Sequence, residues 1–146
     1  MSARTAATMD GIEIAEFLQA RGTGVLSLAR EDDAYAFPVS YHYDEDEQAV
    51  YLRLGVGAGS QKRSFVDAVE RASLVVYEET GEGWKSVVAE GRLGELAPNQ
   101  LESSLVEAVR GFRIPYFAVF RKPASEVDFA LYRLKADSLT GTVEGR

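Results

Sequence analysis

Between Tyr35 and Tyr43 the chain alternates strictly: Tyr35, Phe37, Val39, Tyr41 and Tyr43 fall on one side, and Ala36, Pro38, Ser40 and His42 on the other. A period of two residues is that of a β-strand with one face in a core, so the first set is predicted to be buried and the second to form a half-polar face. Pro38 lacks the N–H that a ladder needs, which predicts a bulge or an unpaired edge with something other than a strand beside it.

Runs rich in Val, Leu, Tyr and Phe recur at Gly24 to Ala29, Ala49 to Leu54, Ser73 to Glu78 and Trp84 to Leu96. Turn-forming clusters separate them: Glu31-Asp32-Asp33, Asp44-Glu45-Asp46-Glu47 and Glu79-Thr80-Gly81-Glu82-Gly83 each predict a hairpin. The stretch from Trp84 is long enough to need bending, and Gly91 and Gly94 are where it can coil. A last strand is expected from about Val127 to Lys135, followed by a polar tail.

Helical spacing appears in three places. Ile12, Ala15 and Leu18, with Phe17 beside them, predict a helix of about three turns from Asp10 until Gly22 stops it. Phe65, Val66 and Val69 predict a second, from about Gln61 to Arg71, with Ser60 as its N-cap. Pro98 opens a third that carries Leu101, Leu105, Ala108, Val109 and Phe112, with its end beginning at Gly111. Pro115 and Pro123 bracket a short apolar stretch, Tyr116 to Phe120, and residues 1–8 read as a loose arm. Five to seven hairpin-connected strands with inserted helices make a mainly β fold, a small antiparallel barrel, in one domain over residues 1–146. Neither repeats nor low-complexity segments occur.

Composition narrows the chemistry. The 146 residues are 46% hydrophobic and 27% charged, as in ordinary globular domains. The 23 Asp and Glu against 16 Lys and Arg give a formal net charge of −7. Such a surface disfavours nucleic acid and anionic membranes, which need clustered cations. It suits plain solubility first, and a halophilic setting in which salt screens crowded acids as the sharper alternative. With no cysteine and one histidine, His42, there is no disulfide, thiolate nucleophile or Cys-ligated metal, and no multi-histidine metal site is expected. No run of about 18 apolar residues and no apolar signal core are present, so a cytoplasmic location is expected.

The strongest local signal is Gly59-Ser60-Gln61-Lys62-Arg63, where a glycine turn, a helix start, a hydroxyl and two cations occur together. Free N–H groups and the helix dipole favour an anion such as phosphate there; the plain alternative is a capped surface helix. The pattern matches neither a Walker loop nor a Gly-x-Gly-x-x-Gly dinucleotide fingerprint, so ATPase and Rossmann readings fail.

The order of the pieces adds a resemblance. Phe37-Pro38-Val39-Ser40-Tyr41-His42, an acidic turn, Val50-Tyr51-Leu52-Arg53-Leu54, Gly59-Ser60-x-Lys62, Ala72-Ser73-Leu74-Val75-Val76 and Trp84-Lys85-Ser86-Val87-Val88-x-x-Gly91 follow one another. The series, over roughly Gly22 to Leu96, resembles the pyridoxamine 5′-phosphate oxidase-like family of FMN-binding split barrels. The resemblance implies a split antiparallel β-barrel with flanking helices, assembled as a homodimer with an FMN in each of two interface clefts. It implies that Pro38, Val39 and Ser40 line the isoalloxazine edge through backbone groups. Arg53, Ser60 and Lys62 would hold the phosphate, and Trp84, Lys85 and Ser86 would approach the flavin from the facing side, from the same or the partner subunit.

Plain readings stand beside these roles. Arg53 fits a solvated strand residue, Lys62 a helix-surface lysine, Trp84 barrel packing, and His42 a hydrogen-bonded strand residue rather than a proton donor. The additional cations with which pyridoxamine phosphate oxidases proper clamp their substrate's phosphate are not identifiable, so the family's name does not supply a reaction. The expectation is an FMN-dependent oxidoreductase acting on a small planar substrate. The alternatives are a non-catalytic flavin-binding or storage protein, a deazaflavin binder, a haem binder with His42 as the available ligand, and a cofactor-free interaction dimer.

Overall fold

The computed structural model describes residues 6–55, 70–97, 99, 105, 108, 112 and 129–144. In chain order these form β1 (Ala6–Thr8), α1 (Gly11–Ala20), β2 (Thr23–Arg30), β3 (Asp33–Asp44), β4 (Ala49–Gly55), β5 (Arg71–Thr80), β6 (Gly83–Glu95) and β7 (Phe129–Glu144). The expected glycine loop 55–59, the helix from Gln61, the stretch between Pro115 and Pro123 and most of the helix after Pro98 lie outside the described residues. Of that last helix Leu105 and Ala108 are described, and both are helical.

All seven strands belong to one antiparallel sheet in the order β1-β7-β4-β3-β2-β5-β6, and β6 also pairs with β7. The sheet therefore closes on itself, and among the described residues only β1 remains as an appended edge. Hairpin connections between β2 and β3, β3 and β4, and β5 and β6 follow the acidic and glycine turns seen in the sequence. The inner side of the ring carries the core, with Leu26, Leu28, Phe37, Val39, Tyr41, Tyr43, Val50, Leu52, Leu54, Leu74, Val76, Val87 and Leu134 all buried. The alternation of β3 is realised as read: its odd residues from Phe37 to Tyr43 face inward.

Helix α1 packs into this core. Asp10 caps it by accepting from the Glu13 N–H at 2.8 Å, and the buried stripe is Ile14, Ala15, Phe17 and Leu18. Ile12, expected on that stripe, is 70% exposed, because the helix faces the barrel one residue pair further along. The buried Tyr41 hydroxyl donates to the Leu18 carbonyl at 2.7 Å and ties helix to barrel. Burial raises its ionisation well above the usual phenol range, with the Arg21 guanidinium opposing.

Three boundaries differ from the sequence reading. Arg71 opens β5 rather than closing a helix. Ala6–Thr8, read as part of a loose arm, pairs with Thr142–Glu144. β7 continues nine residues beyond Lys135, because β6 supplies a partner along its whole length. The β6–β7 register shifts between Glu90 and Gly91. There a Cβ on Gly91 would stand 1.8 Å from the Lys135 carbonyl oxygen, so this β-bulge requires glycine for close approach.

Candidate functional site

The ring is not uniform between β3 and β4. These strands pair only from Tyr41–Leu52 to Asp44–Ala49, although β3 continues back to Asp33 against β2 and β4 continues to Gly55 against β7. Beyond Tyr41 and Leu52 the two strands part. Ser40, Val39 and Pro38 therefore lie on one side of an opening, with Arg53, Leu54 and Gly55 on the other.

Backbone direction at this opening follows from one bond. The Tyr41 N–H donates to the Gly22 carbonyl at 2.9 Å, toward the β2 side. Successive residues of a strand turn their N–H and C=O groups to opposite edges, so those of Val39 also point to β2 while those of Pro38 and Ser40 point to the opening. Pro38 opposes Val25 in a pair without ladder bonds, so its missing N–H costs β2–β3 nothing. On its other side Pro38 has no β4 partner, which is the unpaired edge expected from the sequence. Val39 itself turns its side chain into the core.

Ser40 is the one buried polar side chain among the described residues, 2% exposed although its strand face is the outer one. Across the opening Arg53 is half-buried, and its Nη2 donates a long hydrogen bond of 3.4 Å to the Phe112 carbonyl. Strand geometry thus places one cation and a row of main-chain polar groups on facing edges. Ser60 and Lys62, expected to share this site, lie outside the described residues, as do Arg113 and Tyr116.

Trp84, Lys85 and Ser86 occupy the start of β6, and β2 and β5 stand between them and β3. Three inter-strand spacings amount to about 14 Å, so within one chain they do not border the opening. Trp84 and Ser86 share the outer face with Pro38 and Ser40. Lys85 points the other way, toward α1, 3.5 Å from both Glu13 and Glu82. On the outer face the register aligns Pro38, Val25, Val75 and Val88 in one row across four strands. Tyr77 and Trp84 lie alongside, 58% and 45% exposed, with ring centroids 6.4 Å apart. Val25, Val75 and Val88 are half-buried and Pro38 is exposed, so the outer face carries a continuous apolar row among the described residues.

His42 is exposed and lies opposite Tyr51, with ring centroids 6.5 Å apart. The Tyr51 hydroxyl donates to Glu47 Oε2 at 2.5 Å. Burial and the bonded Glu47 carboxylate push its pKa up to about 12, against the opposing Arg133 guanidinium. Among the described residues no group of three His, Asp or Glu side chains is arranged to hold a metal ion. No described helix is long and apolar enough to cross a membrane.

Known proteins share this architecture. A FAD-binding protein from Mesorhizobium loti superposes with a TM-score of 0.73 at 23% identity, covering 99% of this chain and 100% of its own. The FAD binding protein from Mycobacterium smegmatis gives 0.64 at 15% identity, over 94% of this chain and 98% of its own. A heme binding protein from the same organism gives 0.62 at 16%, over 94% of this chain and 58% of its own. These likenesses establish the fold. None of the curated proteins matches the sequence. The family model described as pyridoxamine 5′-phosphate oxidase matches residues 10–143. That match takes in both parted strands, the bulged β6 and nearly all of β7, and by it the chain belongs to the pyridoxamine 5′-phosphate oxidase-like family.

Proposed function

We propose that the opening between β3 and β4 binds FMN and that the protein is a flavin-dependent oxidoreductase for a small planar substrate. The observation that carries this reading is the parting of the two strands, which turns the main-chain groups of Pro38 and Ser40 toward Arg53 instead of toward a ladder partner. A flavin suits these residues. The polar edge of its ring needs main-chain donors and acceptors in a line, its flat body needs apolar walls, and its phosphate needs a cation. Bound there, the flavin would supply the electron transfer. The chain's own part is to orient the ring with the Pro38 carbonyl and the Ser40 main-chain groups, and to hold the phosphate with Arg53, together with Ser60 and Lys62.

The outer face supports assembly as a homodimer. Pro38, Val25, Val75, Val88, Tyr77 and Trp84 form an apolar strip that a second copy would cover, and Trp84 and Ser86 of that copy would then approach the flavin from the facing side. The names of two similar structures, which describe FAD-binding proteins, favour a flavin over other pigments.

The test is the absorbance spectrum of the purified protein, with the mass of its released cofactor and titration of FMN into stripped protein. Flavin bands, bleaching by a reductant and reoxidation by an added substrate are expected. Bleaching without turnover of any substrate would leave a flavin-storage protein, and a Soret band would replace flavin by haem. Arg53→Gln removes a charge-assisted contact of about 1.5–3 kcal/mol and should weaken FMN about ten- to a hundredfold. A colourless protein that gains no thermal stability from FMN would end the proposal, since saturation at about 100 times the dissociation constant adds about 2.7 kcal/mol.

A further inference from the structure

A groove of about 720 Å³ lies between the start of α1 and the turn that joins β3 to β4. Both of its sides are tied to β7. The Met9 N–H donates to the Gly141 carbonyl at 2.9 Å, and the Gln48 side-chain amide donates to the Ala136 carbonyl at 2.8 Å. Met9, Ile14 and Leu139 give the groove an apolar lining, and Ile12 lines it although it is 70% exposed. The charged side chains on the described lining are Asp10 and Glu45, with no Lys, Arg or His beside them. Neither carboxylate forms an ion pair with a described residue.

Tyr43 supplies an independent sign that the groove takes a ligand. Its side chain is 5% exposed and lines the groove, yet no described residue hydrogen-bonds its hydroxyl. Tyr41, two residues back on the same strand face and similarly buried, bonds the Leu18 carbonyl instead. Burial, and then the Glu45 and Asp44 carboxylates, raise the ionisation of Tyr43 above the usual phenol range, so the hydroxyl stays neutral. A buried hydroxyl without a partner is unfavourable until something in the groove bonds it. The positive end of α1 meets the same space at Gly11. That dipole amounts to about half a charge, and Asp10 already answers it by accepting from the Glu13 N–H. Two full carboxylates outweigh it, and the groove favours a cation.

We infer that this groove binds a primary alkylammonium ion, whose N–H groups donate to Asp10, Glu45 and the Tyr43 hydroxyl while its chain lies along Met9, Ile12 and Leu139. An ammonium carries three donors, one for each of these groups. The volume lies in the range of pockets for small organic ligands. Apart from Tyr43 the apolar lining is aliphatic, so no pair of flat faces sandwiches a ring, and the organic part is assigned as an alkyl chain. Tyr43 stands three residues beyond Ser40, about 10 Å along β3 and on the opposite face of the sheet. The site is therefore separate from the β3–β4 opening and independent of the flavin reading.

The test is titration of the ¹⁵N-labelled protein, as purified, with hexylammonium and separately with hexanol and hexanoate, at neutral pH and constant ionic strength. Amide shifts of residues 9–15, 43–48 and 139 are followed, with flavin content measured in parallel. Saturable shifts confined to these residues are expected with hexylammonium, at least about tenfold weaker binding with hexanol, and none with hexanoate. Asp10→Asn keeps the helix cap and Glu45→Gln keeps the side-chain size; together they should weaken hexylammonium more than about tenfold. Tyr43→Phe keeps the ring and should weaken it about tenfold. All variants should keep the flavin content of the parent. Hexanol or hexanoate binding as tightly as hexylammonium would overturn the site, as would unsaturable shifts, shifts mapping to residues 38–40 and 53–55, or unchanged affinity in the variants. Phenethylammonium binding tighter than hexylammonium would overturn the assignment to an alkyl chain.

Discussion

Replacing Gly91 by alanine tests the closure of the barrel, because closure depends on β6 pairing with β7 past a single bulge. The added Cβ would sit 1.8 Å from the Lys135 carbonyl oxygen and 2.9 Å from the Ala136 Cα. Real Cβ atoms essentially never come within 3.0 Å of such a neighbour, so one strand must retreat by at least 1.2 Å. Both obstructing atoms belong to backbone, and no rotamer change relieves the clash. Overpacking costs about 1–3 kcal/mol, and a collision of this kind belongs at the upper end, about 3 kcal/mol. For a chain of this length each kcal/mol lowers Tm by about 2–4 °C, giving a fall of about 6–12 °C. Gly94→Ala is the matched control: it lies three residues along the same strand and meets nothing within 4 Å. Both variants lose the same glycine entropy in the unfolded chain, so that contribution cancels in the comparison. Urea unfolding followed by circular dichroism gives the difference, read as a shift of midpoint at constant slope. If the two variants agree within about 0.5 kcal/mol, below the overpacking cost, the bulge and the β6–β7 register are wrong.

Two further outcomes follow. Val75→Asp places a charge in the centre of the apolar outer row; it should convert a dimer to a monomer in sedimentation equilibrium and release the flavin, and a flavin-loaded dimer would contradict the proposed assembly. Tyr51 has its folded pKa raised to about 12 from 10.0, so the folded state holds a proton that the unfolded state releases between those values. Its contribution is complete below pH 10 and lost as pH rises toward 12, with a slope of up to about 1.4 kcal/mol per pH unit. Tyr51→Phe should remove that slope, and an unchanged alkaline unfolding profile would refute the bonded, buried phenol.

What the sequence made legible was largely periodic. The alternation from Tyr35 to Tyr43, the acidic hairpin turns and the glycine at the bend of β6 all depend on local chemistry, and the structure follows them. The hydrophobic pattern ends the last strand at Lys135, because the next residues, Ala136 to Glu144, are mostly small or polar. Their strand character comes from the partner β6, and the core side there combines the buried Ala136 and Gly141 with Leu139 and Val143, which are only partly buried. Ile12 misled the helix assignment because hydrophobicity alone does not tell which of two adjacent stripes meets the barrel.

The candidate site was legible as a set of segments, not as a place. Pro38 signalled an edge, yet the parting of β3 from β4 is a property of two strands and has no local signature. Within Trp84-Lys85-Ser86, a period of two already separates Lys85 from its neighbours, and its ion pairs to Glu13 and Glu82 show which face it takes. Arg92, Arg133 and Lys135 share no local sequence signal: some forty residues separate Arg92 from the other two, and the register of β6 on β7 brings them together.

The central claim is that the parted strands hold the flavin, and hydrogen exchange read by mass spectrometry tests it most directly. Adding FMN to stripped protein should slow exchange in peptides covering residues 39–41 and 53–55, and leave those covering residues 10–20 and 92–96 unchanged. Protection confined to the peptides covering residues 10–20 or 92–96, with none at Ser40 and Arg53, would contradict it.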